Sequence, residues 1–402
     1  MDSPYVHSEA RSAASSQHSP SRHDSEPGED PQPGSSRLKP AAKLTLMRYF
    51  QDLQDADIPP SPVLPRFHTG RLPNSKAGDG KPRLLLMGQR RSGKSSISSV
   101  VFHKLPPSET LYLETTTRIK KESMHSFMDF QVWDFPGHLD YFDPAFDVDN
   151  IFDEIGALIW VIDAQDEYLD AIMRLNTTIL NLQHSYPNIN VEVFVHKVDG
   201  LSEDYKSDTF RDIIQRVQDE LSDAGYENAP VSFYQTSIYD HSIFEAFSKV
   251  IQKLIPQLPT LESLLDSLCV NCRIEKAYLF DVLSKIYIAT DTAPTDIGSY
   301  EICSDYIDVV VDVSEIYGWD RPAENGQLED ADINETGNND AESLITMERK
   351  GNNYLYLREI NKYLALICLM GNDSPAEKKA LIDYNVGVFQ EALAQVFPRG
   401  EK

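Results

Sequence analysis

Gly88, Gly93, Lys94 and Ser95 stand at the spacing G-x-x-x-x-G-K-S inside the stretch "GQRRSGKS". Glycines at those positions let a backbone wrap an anion with successive N–H groups turned inward, and a helix that starts there adds partial positive charge. The chemistry this suits is the grip on a polyphosphate, with Lys94 reaching the β and γ oxygens and the Ser95 hydroxyl ligating Mg2+. Ser92 and Ser96 lie in the same run and join the candidate nucleotide contacts. Arg90 and Arg91 are either solvated surface or extra attraction for phosphate. About 40 residues past Lys94, "WDFPGH" supplies Asp134 and Gly137 as D-x-x-G. The carboxylate suits Mg2+ held through water, and the Gly137 N–H suits the γ-phosphate. "HKVD" at 196–199 reads as N-K-x-D with His196 in the asparagine place. Asp199 can accept from guanine N1–H and the 2-amino group together, a donor pair that adenine lacks. The aliphatic stem of Lys197 would lie along the base. In "QTSIYD" a turn after Thr236 offers a backbone N–H to guanine O6, which makes Ser237 and Ile238 candidates.

These groups need strand ends to hold them. "RLLLMG" is a short apolar run that ends in the first glycine, as a buried parallel strand would, and "SGKSSISSVVFHKL" follows as a helix. Apolar runs recur at 130–134, 156–163, 190–199 and 231–237, with helical stretches near 167–185, 206–224 and 241–255. Alternation of this kind predicts a mostly parallel six-stranded sheet with helices on both faces. Two strand-like pieces close together in 118–133 predict one antiparallel edge strand. The prolines of "QKLIPQLPTLESLL" mark a boundary near 256–260. Beyond it the order changes: a helix near 261–269, the strand pair "KAYLFDVLSKIYIAT", a helix over 299–316, three further strands and a last helix near 376–397. That is an α+β domain around an antiparallel sheet. The reading therefore divides the chain into residues 1–80, a GTP-binding domain at 81–257 and a second domain at 258–400. An acidic, Gly/Asn-rich loop at 318–341 is expected to be mobile.

Composition narrows the class of partner. The chain has 402 residues, a formal net charge of -26 and a pI near 4.7. An acidic body repels nucleic-acid phosphates and anionic headgroups. No run of about 18 apolar residues is present to span a membrane. The opening "MDSPYVHSEA" lacks an apolar core, residue 2 is Asp2 and the end "PRGEK" has no cysteine, so neither a secretory signal nor a lipid anchor is expected. Four cysteines fit a reducing compartment. Cys269 and Cys272 form one C-x-x-C without a second pair at zinc spacing, and the expectation is buried thiols near a helix end. Residues 1–40 carry too little apolar surface to offset ordering entropy and are read as disordered. Within 41–55, Leu44, Met47, Phe50 and Leu53 recur at steps of three as one helical stripe, a short helix that is marginal alone.

The four motifs in this order resemble the Ras-like small GTPases. The wording of "RRSGKSSISSVVFHKL", "HKVDGLS", "TSIYDHSIFEAFSKVIQKLIPQLPTLE", "IEKAYLFDVLSKIYIATD" and "LIDYNVGVF" resembles the Rag GTPases of the RagC/RagD type, from about residue 81 to the end. The resemblance implies a G domain followed by a roadblock-type domain. It implies a GTPase that cycles between GTP and GDP and pairs as a heterodimer with a RagA/RagB-type GTPase through the second domain. It further implies recruitment to the lysosome or vacuole surface by a membrane-anchored scaffold, control of the TOR complex in amino-acid signalling, and a GTPase-activating protein. By the same resemblance "LETTTRIK" aligns with switch I and Thr116 becomes the Mg2+-contacting threonine, flanked by Thr115 and Thr117.

The departures bear on catalysis. His138 stands where the family carries a water-positioning glutamine. Neutral histidine can donate and accept like glutamine, with a different reach. Translation-factor GTPases resemble this arrangement with D-C-P-G-H, where the histidine is catalytic. His138 is thus either a working water-orienting residue that awaits an activating protein, or the mark of a weakened site. With no arginine finger evident in the chain, hydrolysis is expected to be slow. The competing class is a scaffold subunit that binds nucleotide for stability with negligible hydrolysis. An ATP-driven kinase or transporter subunit is disfavoured by Asp199. In the second domain, Ile302, Tyr306, Val309 or Val310, and Val313 fall on one helical face, expected either to pack on their own sheet or to form a dimer seam.

Overall fold

A computed structural model describes residues 82–396 except 125, 128–129, 139–150, 153–154, 187–188, 317–341, 348–352, 362 and 372–374. The expected short helix at 41–55, the tail around it and the acidic loop at 318–341 lie outside the described residues.

Strand β1 (Arg83–Gly88) begins the first sheet and is buried along its whole length. Leu84, Leu85, Leu86 and Met87 are each fully shielded, and burying a side chain of this size contributes roughly 1.5–3 kcal/mol. The run is apolar at every position because both faces of a central parallel strand are covered. Helix α1 (Lys94–His103) follows at once. Then come β2 (Lys120–Met124), β3 (Phe130–Asp134), β4 (Ile155–Asp163), α2 (Leu169–Ser185), β5 (Asn190–His196), α3 (Glu203–Asp223), β6 (Val231–Thr236) and α4 (Ser242–Gln252). The strand order is β2-β3-β1-β4-β5-β6. Only β2 runs antiparallel, at the edge, in register with β3. On one face Leu85, Met87, Trp160 and Ile162 join Ile172, Leu175 and Ile179 of α2 and Ile213 and Val217 of α3 in a single core. On the other face Phe247 of α4 meets the rings of Phe194 and Phe102 edge-on at 5.3 Å each.

The second sheet is antiparallel, with strands β7 (Lys276–Asp281), β8 (Tyr287–Thr290), β9 (Glu342–Met347), β10 (Asn353–Glu359) and β11 (Leu364–Met370). Its order is β8-β7-β11-β10-β9. Three helices accompany it: α5 (Leu258–Cys272), α6 (Ile297–Ile316) and α7 (Pro375–Val396). Helix α5 begins earlier than the sequence reading placed it. Pro259 stands in its first turn, where a missing N–H costs nothing, so the boundary proline also opens the helix. Tyr278, Phe280, Tyr287 and Tyr300 form an aromatic cluster that seats α6 on the sheet, with Phe280 and Tyr300 stacked at 6.0 Å.

The stripe expected on α6 is divided. Tyr306 is buried, while Ile302, Val309 and Val313 are exposed. The packing face is instead Tyr300, Cys303, Ser304, Ile307 and Val311. A 3.6-residue period allows two adjacent stripes on so apolar a helix, and the sheet's aromatic cluster selects the one with Tyr300. Cys272, Cys303 and Cys368 are buried and Cys269 is partly so. Burial pushes the Cys269 thiol up to about 12, so it remains protonated. Among the described residues no group of three His, Cys, Asp or Glu side chains is arranged to hold a metal.

The two sheets meet through α4. The Tyr287 N–H donates to Ser248 Oγ at 3.1 Å, and Gln252 Nε2 donates to Tyr287 O at 3.4 Å. Ser126, between β2 and β3, donates to the buried Asp281 carboxylate at 2.5 Å.

Candidate nucleotide site

The polar groups singled out in the sequence gather at the carboxyl ends of β1, β3, β5 and β6, the end at which open α/β sheets place ligands. The loop after β1 has a left-handed backbone at Gly88, Arg91 and Gly93, with φ of 135°, 67° and 102°. A Cβ on Gly88 would lie 2.3 Å from Val161 O, and one on Gly93 2.6 Å from the His196 ring. Glycine is required there by conformation and by space together. Arg90 and Arg91 are exposed, whereas Ser92 is buried; Ser96 lies half-buried in the first turn of α1.

Lys94 is buried at the start of α1, and its Nζ donates to Gly88 O at 3.0 Å and Gln89 O at 2.7 Å. Burial lowers its pKa to about 8 against the opposing pull of Asp134. A phosphate oxygen beside the ammonium would favour the charged form further.

Ser95 Oγ donates to Asp134 Oδ2 at 2.5 Å and lies 2.7 Å from Thr116 Oγ1, which is 3.2 Å from the same carboxylate oxygen. Three hard oxygens from α1, the segment after α1 and the end of β3 thus converge. Of the three threonines at 115–117, Thr116 is the half-buried one that makes these contacts. The other carboxylate oxygen, Asp134 Oδ1, is buried with no hydrogen-bond partner among the described residues. Burial raises the Asp134 pKa, opposed first by the Ser95 hydrogen bond and then by Lys94. A small hard cation suits such an oxygen set: it would satisfy the orphaned oxygen and stabilise the carboxylate against burial. Gly137 lies directly against the β1 loop, for a Cβ there would fall 2.3 Å from Arg90 N. His138 comes next and is exposed.

The half of the candidate site expected to read the purine is built from the ends of β5 and β6. Ser237 Oγ donates to Asp199 Oδ1 at 2.6 Å, fixing a carboxylate that is otherwise exposed. Ser237 N–H donates to Ser242 Oγ and Tyr239 N–H to Ser237 Oγ, so the turn carrying the buried Ile238 is closed on itself. Lys197 has a φ of 62° and sends its Nζ to Arg91 O at 2.8 Å and Asp163 Oδ2 at 2.5 Å. Its carbonyl accepts from Gln165 Nε2 at 2.7 Å. His196 is buried, with Nδ1 3.0 Å from Thr236 Oγ1 and its ring on Gly93. Asp163, Gln165 and Thr236 also enter this half and are not marked by any motif. The available signal was the place of Asp163 at the carboxyl end of the apolar run "GALIWVID".

Burial, with a smaller push from Lys197, lowers the His196 pKa to about 4, so the neutral ring is the folded form at neutral pH. The unfolded chain takes up this proton near pH 6.5. Stability is therefore insensitive to His196 above that pH and declines as pH falls from about 6.5 to about 4, by up to roughly 1.4 kcal/mol per pH unit. Unfolding midpoints of wild type and His196→Asn, compared across that window, should converge toward acid by one proton's worth of slope. Parallel curves would remove the assignment.

A glycine-rich phosphate loop, a hydroxyl and carboxylate oxygen set, and a separate carboxylate placed for a purine edge together define a P-loop nucleotide-binding protein of the G-protein class. The chain matches the family model of the Gtr1/RagA G protein conserved region over residues 83–307. It is 57% identical over 318 residues to the GTP-binding protein gtr2 of Schizosaccharomyces pombe, covering 79% of this chain and 98% of that one. It is 55% identical over 326 residues to the Ras-related GTP-binding protein C of Homo sapiens, covering 81% and 79%. To the GTP-binding protein GTR1 of Saccharomyces cerevisiae it is 27% identical over 192 residues, covering 46% and 61%. The chain belongs to the Gtr/Rag family of G proteins, on the RagC/RagD and Gtr2 side of it. It is a guanine-nucleotide-binding GTPase, with a P-loop G domain followed by a roadblock-like α+β domain.

Proposed function

We propose that this GTPase is the C/D-type member of a heterodimeric switch, assigned residue by residue as follows. The observation that carries the reading is the convergence of Lys94, the Ser95–Thr116–Asp134 oxygens and the Asp199–Ser237 pair at one end of one sheet. Lys94 and the amides of residues 88–96 hold the β and γ phosphates. Ser95, Thr116 and Asp134 would hold Mg2+, which would supply charge neutralisation at the phosphates. Asp199 reads guanine N1–H and the 2-amino group. Because the Ser237 N–H is engaged within its turn, the Ile238 N–H is the donor to guanine O6. Lys197 covers the base while holding the phosphate loop through Arg91 O. His138 orients the attacking water. Its exposure on the outer surface of the site fits slow hydrolysis until an activating protein covers it.

We assign residues 81–257 to the nucleotide domain and 258–400 to pairing with a RagA/RagB-type partner. Exposed Ile302, Val309 and Val313 on α6, with Leu344 and Ile345 on the edge strand β9, support that assignment. Among the described residues no helix is long and apolar enough to cross a membrane. That is compatible with residence in the cytoplasm and recruitment to the lysosomal or vacuolar surface by a membrane-anchored scaffold, in amino-acid signalling to the TOR complex.

The test is a single-turnover measurement on the full chain assembled with its partner, combined with partner affinity in each nucleotide state. The expected result is retention of guanine nucleotide, slow conversion of GTP to GDP, and binding of downstream proteins that differs between the two states by at least about tenfold. Equal binding in both states would leave only a nucleotide-stabilised scaffold.

A further inference from the structure

The loop that holds the guanine-reading carboxylate is also held from helix α6. Ser237 fixes Asp199, Ser242 fixes Ser237, and the Ser242 N–H donates to Asp240 Oδ1 at 2.9 Å. His241 lies between these residues and immediately precedes α4. Its Nε2 lies 3.0 Å from Asp305 Oδ1 on α6, and its ring meets Tyr300 of α6 edge-on at 6.3 Å. With a carboxylate as the acceptor, Nε2 carries the proton. The contact spans 64 residues and joins the loop between β6 and α4 to helix α6.

Asp305 stands three residues after Ile302 and four before Val309, so on a helix of 3.6 residues per turn it flanks the exposed apolar stripe. The Asp308 carboxylate, one turn along, is 2.6 Å from Lys285 Nζ, and that Nζ lies 5.3 Å above the Phe244 ring of α4. Helix α6 thus grips both the start of α4 and the loop before it. The inner face of the helix packs on the aromatic cluster through Tyr300.

We infer that His241 and Asp305 are positioning residues through which α6 holds the guanine-reading loop and sets how long the nucleotide stays bound. Neither touches the nucleotide in the arrangement proposed above; both act through Ser237, Ile238 and Asp199. A loop tied only to its own sheet would open by local fraying, and a strut to α6 raises the free energy of that opening. The inference rests on the nucleotide assignment, and it extends the site to a helix beside the surface assigned to pairing.

The experiment follows release of a fluorescent GDP from the full chain in its assembled form, chased with excess unlabelled GTP. Asp305→Ala and His241→Ala should each speed release on the order of threefold, the scale of one lost, partly solvent-exposed hydrogen bond between a ring and a carboxylate. The double variant should be no faster than either single one, because both remove the same link. Asp305→Asn keeps an acceptor oxygen and should restore slow release, a rescue that general loosening of the helix would not give. The Asp305 side chain is 69% exposed, so its substitutions should leave the melting temperature nearly unchanged. Asp312→Ala, an exposed acid elsewhere on α6, should release at the wild-type rate. Release within twofold of wild type for both single variants, or additive effects in the double variant, would overturn the link. A wild-type assembly that retained no guanine nucleotide would instead sink the underlying site assignment.

Discussion

Asp199→Asn is expected to move the preferred base from guanine to xanthine. In the proposed arrangement the carboxylate accepts two hydrogen bonds from guanine; an amide would accept only one and turn an N–H2 toward the 2-amino group. Xanthine has a carbonyl oxygen there, which the amide can donate to. Losing one charge-assisted hydrogen bond and opposing two donors should weaken GDP and GTP binding by about 3 kcal/mol or more, roughly 100-fold. The partner of the carboxylate is preserved in this variant, because Ser237 Oγ still finds an acceptor oxygen at the position it meets now. Competition of xanthosine and guanosine diphosphates against a fluorescent nucleotide checks the switch. Unaltered guanine preference would place base reading elsewhere in the chain and take the G-protein assignment of this loop with it.

The second large effect is expected at Ser95. Its hydroxyl is the meeting point of the Thr116 and Asp134 oxygens, and Ser95→Asn replaces it with a longer amide. The Mg2+-supported affinity for GTP should fall by at least about tenfold. GDP should lose less, since it has no γ-phosphate whose charge such a cation would neutralise. Titration of each nucleotide with Mg2+ present and with it chelated separates the two terms. Equal losses for GDP and GTP would show that the hydroxyl serves only to order Asp134. The variant should remain folded, because the Lys94 contacts to Gly88 O and Gln89 O do not pass through the hydroxyl.

Both predictions concern residues that could be named from spacing alone, and the reason is physical. A phosphate cradle needs glycine where φ is positive, and the values at Gly88 and Gly93 fall there. A buried parallel strand must be apolar on both faces, so β1, β4 and β5 announce themselves as runs. Local chemistry of this kind is written locally, and the four motifs, the alternation of strand and helix and the antiparallel second sheet followed from it.

Other features depended on which distant residues come together. Asp163, Gln165 and Thr236 carry no spacing signature; they enter the site because β4, β5 and β6 lie side by side and end at one level. The two apolar stripes of α6 could not be ranked by period, and the stacking of Tyr300 on Phe280 decided between them. Pro259 lies in the first turn of α5, so that helix starts at Leu258 and not near 261. The strut from His241 to Asp305 joins positions 64 residues apart in regions that sequence reading assigned to different domains. The sequence by itself determined what each strand end can bind, because side-chain chemistry and backbone freedom are properties of single residues. Only the tertiary structure decided which of those ends brace one another, because that is set by packing between faces whose partners lie far apart along the chain.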